Sequence, residues 1–170
     1  MTMIERRALG LGLIALAGLL LPGHSPYTQW YAYRAKHLVV VTDARPGALD
    51  LAQAVATAVV TKWPESKAVA AQARSTVEAV RLLSSGQLQV ALIPSAAAFD
   101  ALQGQGNFAA DGKLQLRAIA ALGDEVLVVL DAYPRERART LAGAIADSTA
   151  LSSRAAGGQP RIPYHPGVRP

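Results

Sequence analysis

STVEAVRLLSSGQLQVALIPSAAAFDALQGQGNF, residues 75–108, is the stretch that decides the fold of this chain. Ser75 with a glutamate three residues later is the pattern of a helix-capping box, and Gly86 suits the left-handed position that ends a helix. Leu88–Ile93 is a short apolar run typical of a strand buried on both faces. Pro94 and the serine after it then open another helix. The stretch therefore predicts helix, strand and helix, with the second helix beginning at the edge of the sheet where α/β proteins bind ligands.

The same alternation continues on both sides of this stretch. Further strands are predicted at residues 37–42, 67–73, 114–122 and 125–130. A helix is expected between the first two of them, and a last helix from Pro134 to about Ser152. Strands that alternate with helices indicate parallel pairing and right-handed crossovers. The predicted fold class is α/β, a single lobe with a mostly parallel sheet flanked by helices.

Composition divides the chain into four segments. Residues 1–25 form a signal peptide or an uncleaved membrane anchor, and residues 26–36 form a linker. Residues 37–152 form the lobe. Residues 153–170 form a basic tail that is too rich in proline and glycine for regular structure.

The N-terminal segment has the features of an export signal. Arg6 and Arg7 precede an uncharged, mostly apolar stretch at residues 8–21, which suits a signal peptide better than a full membrane span. The arginine pair is compatible with either the twin-arginine or the Sec route. Three aromatic residues follow that would suit a membrane interface if the segment stays uncleaved: Tyr27, Trp30 and Tyr31. We expect a periplasmic lobe, either released by cleavage or tethered to the inner membrane.

Charge and composition argue against several classes of partner. The chain carries a formal net charge of +5, but residues 37–130 hold seven basic and eight acidic side chains. This nearly neutral middle lacks the basic face that nucleic-acid binding requires. The chain has no cysteine, and its three histidines lack metal-ligand spacing, so no metal or cofactor site is expected.

Motifs of catalysis are also absent from the sequence, so no enzymatic activity is expected. Asp43 and Asp50 follow the first strand, and we expect these carboxylates to be exposed to solvent. Anion binding is the chemistry that the pattern allows, because helix N-termini favour carboxylates and phosphates. The side chains that would assist at these positions are Arg45, Ser75, Thr76 and Ser95. Helix capping alone would also explain the two serines.

Three segments resemble the first lobe of TAXI-type solute-binding proteins of TRAP transporters. They are V-E-x-x-R-L-L-x-S-G-x-x-x-x-A-L at residues 77–92, the phrase at residues 104–109 and LRAIAAL at residues 116–122. The resemblance extends from about residue 37 to residue 130. It implies an exported lobe of the type II periplasmic-binding-protein kind, a small carboxylate ligand such as glutamate, and a membrane permease as partner. It also places the ligand near these residues: Thr42, Arg45, Ser75, Thr76 and Ser95.

The chain departs from that family pattern at the ligand-facing positions. The loop after the first strand reads TDARPGALD, where the family has a loop rich in glycine and threonine that ends in aromatic residues. After Asp131 only a helix and the tail are predicted, whereas a second lobe would need several strands. We therefore keep an alternative function open: a membrane-anchored accessory or structural subunit that reuses the lobe as a scaffold for protein contacts and has lost ligand binding.

Overall fold

The computed structural model describes Tyr33 and residues 36–168. The residues from His37 onward form one compact unit. Its elements in chain order are β1 (Val39–Thr42), α1 (Ala48–Lys62), β2 (Val69–Gln72), α2 (Thr76–Ser84), β3 (Val90–Pro94), α3 (Ser95–Gln103), β4 (Leu116–Leu122), β5 (Glu125–Leu130), α4 (Arg135–Asp147) and α5 (Thr149–Ala155). Short 3-10 turns lie at Pro64–Ser66 and Gly106–Phe108. The predicted α/β single lobe is confirmed.

The expectations for the N-terminal segment lie outside the described residues. They concern residues 1–25, most of the linker, and Arg6, Arg7, Tyr27, Trp30 and Tyr31. Within the part of the chain that the structure describes, no helix is both long and apolar enough to cross a membrane.

The sheet has the strand order β2-β1-β3-β5-β4. β1 pairs in parallel with β2 and with β3, whereas β5 is antiparallel to both β3 and β4. Four strands thus run in one direction and β5 runs against them. The expected, mostly parallel sheet is confirmed. β5 is its antiparallel strand, because Gly123 and Asp124 alone connect it to β4. A two-residue link makes a hairpin and cannot make a crossover, and the φ of 71° at Gly123 suits such a turn.

Helices cover both faces of the sheet, and alternate side chains of each strand pack against the helices on one face or the other. Val40 packs with α1, α4 and α5 on one face, whereas Val39 and Val41 pack with α2 and α3 on the other. Successive side chains of a strand point to opposite faces of the sheet, so β1 contributes side chains to both hydrophobic cores. This explains why the buried strands read as continuous apolar runs rather than as alternating ones.

The predicted last helix is in fact two helices. α4 ends at Asp147 and α5 begins at Thr149, because Ser148 between them has an extended backbone (φ −83°, ψ 114°). Serine is a weak helix former that favours helix boundaries. The bend lets Leu141 and Leu151 both bury their side chains in the same core layer.

The segment after α5 has little regular structure, but it is docked on the sheet. Ala118 in edge strand β4 donates its N–H to Pro163 (2.9 Å) and accepts one from His165 (2.8 Å). Ile162 and His165 are both buried. The segment thus covers an edge strand that would otherwise present unpaired backbone groups.

Candidate functional site: a carboxylate cluster at the strand ends

The candidate site lies at the sheet edge where β1 and β3 end. β5 begins at this same edge because it runs in the opposite direction, and its first residue, Glu125, is in register with Pro94. The edge thus combines the loop after β1, the start of α2 and the start of β5. In open α/β sheets the carboxyl ends of the strands are where ligands bind.

Asp43 lies at the centre of this edge, and its side chain is only 2% exposed. Its carboxylate accepts hydrogen bonds from Nε of Arg45 (2.8 and 2.9 Å) and from the backbone N–H of the same arginine (3.2 Å). The hydroxyl of Thr76, at the start of α2, also donates to it. The expectation of a solvent-exposed Asp43 was therefore wrong. A carboxylate can be buried when both oxygens accept charge-assisted hydrogen bonds.

Arg45 uses the rest of its guanidinium on a second carboxylate. Its two terminal nitrogens donate to the two oxygens of Glu125 at 2.7 and 3.0 Å, which is the paired geometry that arginine favours. The Glu125 side chain is 16% exposed and that of Arg45 is 42% exposed. The cluster of Asp43, Arg45 and Glu125 therefore holds two negative charges and one positive charge.

These contacts shift the pKa values of Asp43 and Arg45. Burial alone would raise the pKa of Asp43, but the hydrogen bonds from Arg45 and Thr76 outweigh it and hold that pKa below its ordinary value. The hydrogen bonds to Glu125, and then those to Asp43, raise the pKa of Arg45 further above its already high value. Asp43 is therefore ionised, and Arg45 is charged, throughout the neutral range.

The two serines among the predicted binding residues have partners outside the cluster. Ser75 caps α2, since its hydroxyl accepts the N–H of Glu78 (3.2 Å). The carboxylate of Glu78 reaches back to the N–H of Arg74 (2.7 Å), one residue before the position expected for a capping box. Ser95 accepts the N–H of Arg161 (3.1 Å), which ties the start of α3 to the C-terminal segment. Both serines thus serve the fold.

Thr42 is fully buried at the end of β1, directly before Asp43. Its hydroxyl has no hydrogen-bond partner among the residues that the structure describes. The structure thus brings three of the five predicted binding residues to the neighbourhood of Asp43, namely Thr42, Arg45 and Thr76. It does not bring Ser75 or Ser95 into the hydrogen bonds of that cluster.

An open cavity of about 390 Å³ adjoins the cluster. The start of α1 forms one wall, and the turn between β4 and β5 forms the other. Arg45 and Glu125 line it, as does the exposed side chain of Arg154 in α5. The first turn of α1 has Gly47 as its N-cap, without a side-chain cap, and the acidic Asp50 one turn in. The cavity therefore combines cationic and anionic walls.

Two members of the cluster were missed from the sequence. Asp43 was noted only as an exposed carboxylate, and Glu125 was assigned only to a strand. A signal for Glu125 exists, because a strand entered through a two-residue turn must begin at the edge where its predecessor ends. No cluster of three or more potential metal ligands occurs within the described residues.

Residues 49–159, well over half of the chain, match the NMT1-like family, which is periplasmic-binding-protein-like. A comparison with curated proteins finds no match. Proteins of the NMT1-like kind are typically non-catalytic and solute-binding, and they indicate an extracytoplasmic location. The match covers α1 to α5 and includes Thr76 and Glu125, although it begins after Asp43 and Arg45. The chain therefore belongs to the NMT1-like family and carries a solute-binding-protein-like lobe.

Proposed function

We propose that this chain is a periplasmic, solute-binding-protein-like subunit of a TAXI-type TRAP transport system that acts by contacting the membrane permease rather than by carrying a carboxylate. The observation that carries the proposal is that Arg45 is already paired with two carboxylates of the chain itself. The cation best placed to bind an anionic solute already holds Asp43 and Glu125. What the lobe still offers to a transport system is its surface.

Competition within the cluster supports this reading. A solute carboxylate that approached Arg45 would have to displace Glu125 or Asp43, and the cluster already has one excess negative charge. Repulsion from the displaced carboxylate would then oppose binding. A free solute also loses translational and rotational freedom on binding, whereas the two internal carboxylates are already positioned by the fold. Glutamate and similar acids should therefore bind weakly or not at all.

A second candidate function is the binding of a glutamate-like carboxylate, and the cavity beside the cluster favours it. Arg45 and Arg154 both line that cavity, and so does the start of α1, where the helix dipole favours an anion. A carboxylate held there would lie on one lobe and stay partly open to water. This candidate predicts that R154M weakens binding, whereas the first candidate predicts no binding to weaken.

Calorimetry and co-purification together separate the two candidates. The purified chain is titrated with glutamate and with 2-oxoglutarate, and the full chain is co-expressed with a TAXI-type TRAP permease and isolated from detergent extracts. We expect no measurable heat and retention of the permease. Binding of micromolar solute that R154M abolishes would establish the second candidate. Failure of the permease to co-purify with the chain would refute the first.

A membrane tether at the N-terminus belongs to the same proposal. Arg6 and Arg7 would stay on the cytoplasmic side, and the three aromatic residues Tyr27, Trp30 and Tyr31 would lie at the outer interface. A tether would keep the lobe beside a permease at high local concentration. N-terminal sequencing of the protein from membranes tests it. A mature chain that begins near Ser25 to Tyr27 would show that the leader is removed.

A further inference from the structure

We propose that Asp43 is a built-in ligand: its carboxylate occupies a small-carboxylate site formed by Arg45 and Thr76. When the Asp43 carboxylate is removed, that site should accept a free carboxylate from solution. This inference concerns the strand-end cluster alone, and it stands whether or not a permease contact is found.

The contacts of Asp43 are those expected of a bound carboxylate. One oxygen accepts from the backbone N–H of Arg45, and both oxygens accept from its Nε. The hydroxyl of Thr76 donates to the second oxygen, from a helix whose first residue it is. The donors come from two segments that lie 33 residues apart in the chain. Donors that converge from separate elements on one carboxylate are typical of a binding site rather than of a surface ion pair.

Glu125 fixes Arg45 in the orientation that this site needs. It holds both terminal nitrogens of the guanidinium, so Nε remains directed at the carboxylate of Asp43. Arg45 would therefore keep its position when Asp43 is shortened. The backbone on the other side is also held, because the amide of Gln72 donates to the carbonyl oxygen of Asp43 (3.2 Å). The site is thus supported independently of the carboxylate that fills it.

The size of the missing group predicts which acid will fit. Asp43→Ala keeps Cβ and removes one carboxylate group, which has the same carbon and two oxygens as formate. Acetate carries an additional methyl group that would collide with the retained Cβ, because the Asp43 side chain is buried and leaves little free space. We expect formate to bind the variant more tightly than acetate does. Chloride should not replace formate, because a single spherical ion cannot accept hydrogen bonds at the two separate positions that the carboxylate oxygens occupy.

Chemical rescue of folding stability tests the inference. Urea unfolding of wild type, D43A and D111A is followed by circular dichroism in sodium formate, sodium acetate and sodium chloride at equal ionic strength. Asp111 is the matched control, because it also accepts a guanidinium, that of Arg81, but its side chain is 25% exposed on the surface. D43A should be less stable than wild type in chloride. Formate at 100 times its dissociation constant should then raise the folding equilibrium constant of D43A about 100-fold.

Three outcomes would overturn the inference. The first is an equal effect of formate on D43A, D111A and wild type, which would show a general salt effect. The second is an equal effect on D43A and on D43N, because the asparagine amide fills the space that formate needs. If D43A does not fold in chloride, the readout becomes refolding on addition of formate. Failure to refold at any formate concentration also counts against the site, since a ligand that binds only the folded state must shift the equilibrium.

Discussion

Replacing Arg45 by methionine should reverse the way in which stability depends on pH. In the wild type the pKa of Asp43 is below its ordinary value, so its contribution to stability is present above about pH 4 and is lost as the pH falls through the folded pKa. In R45M the burial of Asp43 remains but its main hydrogen-bond donor is gone. Burial then raises the pKa of Asp43 above the unfolded value. The free energy of unfolding of R45M should therefore increase as the pH falls from 7 through the raised pKa of Asp43 towards its unfolded value.

The size of the effect follows from the geometry. Removing one partner of a fully buried ion pair costs about 3–5 kcal/mol. Because the Arg45 side chain is 42% exposed, we expect R45M to lower the free energy of unfolding at pH 7 by less than this, about 2–3 kcal/mol. Each unit by which the pKa of Asp43 then exceeds about 3.9 returns about 1.4 kcal/mol once the pH is below both values. The difference in free energy of unfolding between wild type and R45M should thus become smaller as the pH falls.

Urea unfolding at pH 7, 6, 5 and 4 measures this gap, with the slope of each transition checked for two-state behaviour. R45M/D43N should lose the reversal, whereas R45M/E125Q should keep it, which separates Asp43 from Glu125. R81M is the matched control, because Arg81 also pairs with an aspartate but lies on the surface. A gap that stays constant across this range, or a reversal that survives in R45M/D43N, would refute the assignment of a buried, arginine-held carboxylate.

The remaining predictions concern the elements that hold the edge in place, and each is read from urea unfolding at pH 7. Ser75→Ala should cost about 1 kcal/mol because the cap of α2 is lost, whereas Ser84→Ala, at an exposed hydroxyl in the last turn, should cost less. Ile162→Ala should cost about 2–4 kcal/mol, because this side chain of the C-terminal segment is 4% exposed; a cost near zero would show that the segment is not docked. Gly104→Ala should cost more than about 1 kcal/mol, because φ is 66° and a Cβ would lie 2.7 Å from the backbone carbon of Gly112. An unchanged midpoint for that variant would contradict the geometry of the loop.

The elements of the lobe could be predicted because their signals are local. The residues from Ser75 to Gln103 contain a cap, an apolar run and a second helix within 29 positions, and the structure places the two helices at Thr76–Ser84 and Ser95–Gln103. β5 was also predicted with its observed bounds. Its direction was harder to predict, because strand and helix alternation favours parallel pairing until the length of each connection is considered.

The cluster could not be predicted in full, because its contacts with Thr76 and with Glu125 join residues that are distant in sequence. Asp43 is 33 residues from Thr76, and Arg45 is 80 residues from Glu125. A sequence shows that an aspartate follows a strand, but burial depends on which donors the fold brings to it. The C-terminal segment is a similar case. Its prolines and glycines predicted little regular structure. They did not show that Ile162 and His165 would be buried, or that Pro163 and His165 would form backbone hydrogen bonds with Ala118 in β4.

A built-in carboxylate suits a single lobe for a thermodynamic reason. A solute on one lobe keeps a face in water, so its contacts must offset the loss of translational and rotational freedom with little help from desolvation. Asp43 loses no such freedom, because it lies two residues from Arg45 in the same loop and is held by the fold. The internal carboxylate therefore outcompetes a free one wherever both reach the same donors. It also keeps Arg45, Thr76 and Glu125 in one fixed arrangement without solute, so a permease that contacts this edge would meet the same surface at every solute concentration.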